Sequence, residues 1–168
     1  MDHAWTCACC GKQYNTLPLD FAIKAPHNWF AIPEEERAAR VKLSQDICII
    51  DGAERYVRGV IEIPVLGLND CFAYGVWVSV SEQSLLRIHE LWDAEIRDDE
   101  PPLFGWLCNN LRLYGETLHL KSNLHLRNGG LRPSIELEPT DHPLALEQRN
   151  GITLDRVQEI IAALTHRN

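Results

Sequence analysis

The sequence has no long hydrophobic run and no excess of positive charge. No apolar stretch approaches the ~20 residues that a helix needs to cross a bilayer. The first residues, MDHAW, lack the basic and then apolar pattern of a signal peptide. The chain of 168 residues carries a net charge of −8, so it repels the phosphate backbone of nucleic acids. These features predict a cytoplasmic protein that binds neither membranes nor nucleic acids.

Several common catalytic motifs are also missing. The chain has no internal repeat, no phosphate-binding glycine loop, no His-Glu-x-x-His and no serine elbow. The one catalytic candidate is the pair Asp141 and His142, because a carboxylate beside an imidazole can serve in general acid–base catalysis. Adjacent side chains seldom point at each other, however, and Asp141 also suits a turn or a helix cap before Pro143. We therefore favour a structural role for this pair.

The composition, 45% hydrophobic and 24% charged, is that of a globular protein, and we expect one domain over residues 1–168. The predicted fold class is α+β, because the strands follow one another or form hairpins instead of alternating with helices. We expect a mainly antiparallel sheet of about five strands with about three helices. An irregular segment, residues 1–30, is expected to carry a cysteine knuckle and to pack on this domain.

Local patterns predict the positions of these elements. Apolar or alternating runs predict strands at 46–51, 55–64, 72–81, 116–126 and 133–138. Proline or capping residues predict helices at 34–43 after Pro33, at 82–94 after Ser81 and at 154–165 after Thr153. The aromatic segment 104–107 favours a single helical turn.

Cysteine is concentrated near the start of the chain, where three of the six cysteines occupy positions 7–10. Cys7 and Cys10 form a Cys-x-x-Cys pair followed by Gly11, and two thiolates at this spacing can hold one metal ion. A thioredoxin-like redox role is disfavoured, because the pair precedes any regular structure and is not placed between a strand and a helix. The spacing therefore predicts half of a structural zinc site.

The rest of the zinc site must come from distant positions, because no second Cys or His pair occurs at a short spacing. Cys48 is the best third ligand, since the predicted strand at 46–51 would hold it rigidly. The fourth ligand is left open between Cys9, His27 and His3. A site with four protein ligands would be structural, because no coordination position remains for water.

The chain resembles a bacterial family known as domain of unknown function 2199. The matching segments are Cys7-x-x-Cys10-Gly11 with Leu17-Pro18, and residues 46–51, 58–64, 75–81, 104–107 and 132–151. The resemblance implies a cytoplasmic bacterial protein, and it brings no assigned activity. It also implies a motif position for Cys48 and a histidine at the position that Tyr14 occupies in this chain.

Three functional hypotheses follow from these features. The leading one is a non-catalytic binding or assembly domain held by structural zinc. The second is a hydrolase-like enzyme that uses Asp141 and His142 in a tryptophan-lined pocket. The third is an immunity or regulatory module whose acidic surface meets a basic protein partner.

Overall fold

The computed structural model describes residues 4–166, in which a large sheet packs against helices. The strands are β1 (Trp5–Thr6), β2 (Gln13–Tyr14), β3 (Asp20–Ala22), β4 (Val41–Leu43), β5 (Ile47–Ile50), β6 (Glu54–Pro64), β7 (Cys71–Ser79), β8 (Leu103–Leu107), β9 (Lys121–His125) and β10 (Ser134–Leu137). The helices are α1 (His27–Phe30), α2 (Glu34–Arg40), α3 (Glu82–Glu90), α4 (Pro143–Asn150) and α5 (Leu154–Thr165). None of these helices, all within the described part of the chain, is long and apolar enough to span a membrane.

Eight of the strands form one mixed sheet in the order β3-β7-β8-β9-β10-β6-β5-β4. Because β6 also pairs with β7, the pairings close β6 to β10 into a ring. The β3–β7 and β10–β6 pairs are parallel, and the other neighbours in this sheet are antiparallel. The predicted α+β class is confirmed, but the sheet is larger than predicted and mixed.

Strand β6 closes the ring because it shares one of its edges between two partners. Over its first residues this edge pairs with β5, and further along Val60 lies opposite Ser134 of β10. Gly59 lies at this change of partner. A Cβ there would lie 2.5 Å from Ile135 Cδ1 and 3.0 Å from the Pro133 carbonyl oxygen, so only glycine lets β10 come this close.

The two faces of the sheet carry separate apolar clusters, since side chains alternate along each strand. The main core includes Val57 and Val78 from the sheet and the buried faces of α3, α4 and α5. A smaller cluster on the opposite face surrounds the fully buried Trp77 and includes Tyr56 and Cys48. Because of this separation, a cysteine that packs on one face cannot contact a cysteine that packs on the other.

Most of the predicted elements are present, and three helix predictions are wrong. The helix predicted at 82–94 ends at Glu90. The helix that begins at Glu34 ends at Arg40 instead of residue 43, because Val41 starts a strand and lies opposite Ile50. Residues 104–107 belong to β8 and are not a helical turn. Their side chains alternate between exposed aromatics and buried positions, as a strand requires.

The predicted helix caps are confirmed at two positions. The Ser81 hydroxyl accepts a hydrogen bond from a backbone N–H of the first turn of α3, and Thr153 does the same for α5. Each cap satisfies a backbone donor that the helix itself leaves without a partner.

The segment before residue 30 is less irregular than predicted, and buried polar groups join it to the sheet. Strand β3 pairs with β7, and the Trp77 indole Nε1 donates a hydrogen bond to the Ile23 carbonyl oxygen at 3.0 Å. Asn109 accepts from the Trp77 backbone N–H at 2.7 Å and donates to the Ala25 carbonyl oxygen at 3.0 Å. Asn109 is 3% exposed, so this bridge is shielded from water.

We predict that Asn109→Ala lowers the free energy of unfolding by about 2–3 kcal/mol, because it leaves a buried N–H and a buried carbonyl without partners. Urea unfolding followed by circular dichroism measures the change. The exposed Asn69, between β6 and β7, supplies the control, and Asn69→Ala should change stability by less than about 1 kcal/mol. Equal effects of the two substitutions would contradict the bridging role.

Candidate metal centre

The Cys-x-x-Cys pair lies in a tight turn between β1 and β2, which pair antiparallel. The Cys7 N–H donates to the Lys12 carbonyl oxygen at 2.9 Å, and the Gly11 N–H donates to the Cys7 carbonyl oxygen at 2.8 Å. Gly11 has φ +69°, a left-handed conformation that glycine adopts without a Cβ penalty. The turn therefore holds the chain in the curled form that brings both sulfurs to one side.

A histidine from the other end of the chain completes a three-residue group. His166 follows α5, and its Nε2 lies 3.1 Å from Cys7 Sγ and 3.5 Å from Cys10 Sγ. The three atoms all lie within 4.8 Å of one another, so the group is close enough to hold a metal ion. The buried face of α5, which contains Val157 and Ile160, fixes where this histidine lies.

The environment of Cys7 favours its thiolate. The side chain is 1% exposed, and desolvation by itself raises its pKa. Hydrogen bonds from the backbone N–H groups of Cys10 and Cys9, and from the Cys10 and His166 side chains, outweigh this effect and lower the pKa to about 7. Thiolate is the form of cysteine that binds metals.

The structure does not bring Cys48 to this group. Cys48 lies opposite Tyr56 in the β5–β6 ladder, so its side chain points to the face of the sheet that carries Trp77. Cys7 packs with the main core on the opposite face. Burial, with a smaller effect of the Glu54 charge, raises the pKa of Cys48 to about 11. In this structure Cys48 is a fully buried apolar side chain of the core.

The three candidates for a fourth ligand differ in position. Cys9 is exposed and lies next to Cys10 in the same turn, but it is outside the three-residue group. His27 is exposed at the first position of α1 and lies outside the three-residue group. His3 lies outside the described residues.

His142 caps a helix, whereas the expected cap was Asp141. His142 precedes α4, its Nδ1 accepts from the Leu144 N–H at 3.2 Å, and its Nε2 lies 2.8 Å from the Glu116 carbonyl oxygen, to which it donates. The predicted position of Pro143 in the first helical turn is confirmed. Both ring nitrogens of His142 are therefore hydrogen-bonded to backbone groups. The Asp141 side chain is exposed.

Sequence reasoning missed His166 because no local signal marks it. It lies 159 positions from Cys7 and has no histidine or cysteine at metal-ligand spacing beside it. The only indirect signal is the amphipathic α5, whose apolar face must pack against the core and therefore fixes where its last residues lie.

The fold and this site define an α+β protein with a Cys/Cys/His group that could hold a metal ion. The sequence profile of a family described as an uncharacterized protein conserved in bacteria, domain of unknown function 2199, matches residues 6–152. The chain belongs to this family, as the sequence motifs predict. No curated protein and no solved structure matches the chain. Cys7 and Cys10 lie inside the matched range, and His166 lies beyond it.

We predict that His142→Ala lowers the free energy of unfolding by about 1 kcal/mol, because it removes the cap of α4. Thermal or urea unfolding measures the loss. Asp141→Ala is the neighbouring control and should change stability by less than about 0.5 kcal/mol. If Asp141→Ala lowered the free energy of unfolding more than His142→Ala does, His142 would not be the cap of α4.

Proposed function

We propose that this protein is a non-catalytic binding or assembly domain whose fold is held by a structural zinc ion. The observation that supports the proposal is the convergence of Cys7 Sγ, Cys10 Sγ and His166 Nε2 within 4.8 Å. Two thiolates and an imidazole are ligands that zinc prefers in structural sites, whereas magnesium and calcium prefer oxygen. The donor set therefore fits zinc.

Cys9 is our candidate for the fourth ligand. It lies next to Cys10 in the same turn and is exposed, so it can turn toward a bound ion without breaking core packing. A fourth protein ligand would close the coordination shell, and a closed shell leaves no position for a reacting water. This is why we propose a structural role for the ion.

The proposed role of zinc is to fasten the N-terminal turn to the C-terminal helix. Strands β1 and β2 contain only two residues each, and an isolated hairpin of this size is not stable in water. Trp5 and Tyr14 stack with ring centroids 5.1 Å apart, and the turn reaches the main core only through Trp5 and Cys7 among its buried residues. Binding free energy from zinc would therefore contribute to folding of this part of the chain.

A binding role also agrees with the position of the one catalytic candidate. Both ring nitrogens of His142 are used by backbone groups, so the side chain would have to abandon the α4 cap to act as a base. With a net charge of −8, the chain would associate most readily with a basic protein partner. The proposed partner is therefore defined by its basic surface.

We predict about one zinc ion per chain in protein purified without chelators, measured by inductively coupled plasma mass spectrometry together with protein concentration. Cys7→Ser, Cys10→Ser and His166→Ala should each lose most of the zinc, because each removes a ligand. Cys48→Ala should retain it, because Cys48 lies on the other face of the sheet.

Cys71→Ser is the matched control, since Cys71 is partly exposed on β7 and lies outside the three-residue group. It should keep the wild-type zinc content. Folded wild-type protein without zinc would refute the proposal. Loss of zinc in Cys48→Ala with retention in His166→Ala would refute the ligand set.

A further inference from the structure

A small cavity opens where β6 changes partner from β5 to β10. We call it the fork cavity; its volume is about 100 Å³. Val57 and Arg58 of β6 form one wall, and residues from α3, from the loop before β10 and from the 92–97 loop form the others. The fork cavity shares no residue with the candidate metal centre.

The lining of the fork cavity is positively charged, although the chain is acidic. Three arginines line it, and Asp46 is the one acid among its lining residues. Asp46 pairs with Arg132, whose Nε lies 2.7 Å from the carboxylate. Arg97 is 9% exposed and donates to three backbone carbonyl oxygens, so its position is fixed by the fold.

Arg58 has a buried donor that the fold leaves unused. Its Nη1 donates to the Gln45 carbonyl oxygen at 3.2 Å, and its guanidinium lies 5.9 Å from the centre of the Trp77 ring. Its Nε is buried and has no hydrogen-bond partner within residues 4–166. Burial and the neighbouring Arg132 charge lower the pKa of Arg58, and Asp46 only partly opposes this effect. Arg58 is partly buried, so its charge is only partly compensated by water and by Asp46, and an anion in the cavity would compensate it further.

The remaining walls of the fork cavity are apolar. Ile88 and Leu126 are buried, whereas Trp92 and Leu131 are 43% and 56% exposed at its rim. The fork cavity, at about 100 Å³, is smaller than an engineered cavity of about 150 Å³ that holds benzene, so it has room for an acidic group and only the start of an apolar body. A longer body would continue across Trp92.

We propose that the fork cavity binds a small organic carboxylate, with its carboxylate at Arg58 and Arg132 and its apolar body against Trp92 and Leu131. Guanidinium groups bind carboxylates through two parallel hydrogen bonds. A monoanion is favoured over a doubly charged phosphate, because the Asp46 carboxylate lies in the same wall and repels the second negative charge.

The test compares benzoate with benzamide, which have nearly the same shape and differ in charge. Nuclear magnetic resonance of ¹⁵N-labelled full-length protein follows the indole signals of Trp92 and of Trp106, which is similarly exposed but lies outside the cavity. Benzoate should shift the Trp92 signal and leave Trp106 unchanged. It should bind at least about tenfold more tightly than benzamide, as expected for a charge-assisted hydrogen bond.

Arg58→Gln should weaken benzoate binding by at least about tenfold for the same reason. Arg149→Gln is the matched control, because it removes the same charge from an exposed position on α4 and should leave the affinity unchanged. If Arg58→Gln does not fold, Leu131→Ala tests the apolar wall and should also weaken binding, because Leu131 lines the cavity and the Trp92 signal is kept as the reporter.

Three results would overturn the inference. They are equal binding of benzoate and benzamide, tighter binding of inorganic phosphate than of benzoate, and a benzoate-dependent shift at Trp106 without one at Trp92. The comparison of benzoate with benzamide uses the wild-type chain, so it stands even if every variant is unstable.

Discussion

The division of one edge of β6 between β5 and β10 determines much of this structure. It closes five strands into a ring, and it needs Gly59 where the two partners meet. It also leaves a gap beside Val57 and Arg58, which is the fork cavity. Because side chains alternate along β6 and β5, the same ladder assigns Cys48 to one face of the sheet while Cys7 packs on the other. The strand pairing thus sets the position of the cavity and keeps Cys48 away from the candidate metal centre.

The candidate metal centre depends on contacts between the two ends of the chain. The turn after β1 presents two sulfurs, and α5 delivers His166 to them because its apolar face packs in the core. The family profile ends at residue 152, so this histidine belongs to a part of the chain that the family match does not cover. The resemblance implies a histidine at the position of Tyr14, which in this chain stacks on Trp5. His166 supplies an imidazole to the same turn from a different direction.

Local features of the fold could be predicted from the sequence, and long-range ones could not. The caps at Ser81 and Thr153, the hairpin of β5 and β6 and the α+β class depend on neighbouring residues. The parallel β10–β6 pair joins segments about seventy residues apart, and no periodicity encodes such a partner. In the site, Cys7 and Cys10 were recognisable from spacing. Cys48 was chosen from its strand alone, and the structure places it on the face of the sheet away from Cys7. Finding His166 requires knowledge of where α5 packs.

The central claim is that a metal ion joins the Cys7–Cys10 turn to His166. Zinc K-edge X-ray absorption of the purified protein tests it most directly, because it distinguishes sulfur from imidazole ligands. The account predicts zinc–sulfur distances of about 2.3 Å together with one imidazole nitrogen at about 2.0–2.1 Å. The imidazole contribution should disappear in His166→Ala. A spectrum with sulfur ligands alone, or an imidazole contribution that persists in His166→Ala, would contradict it.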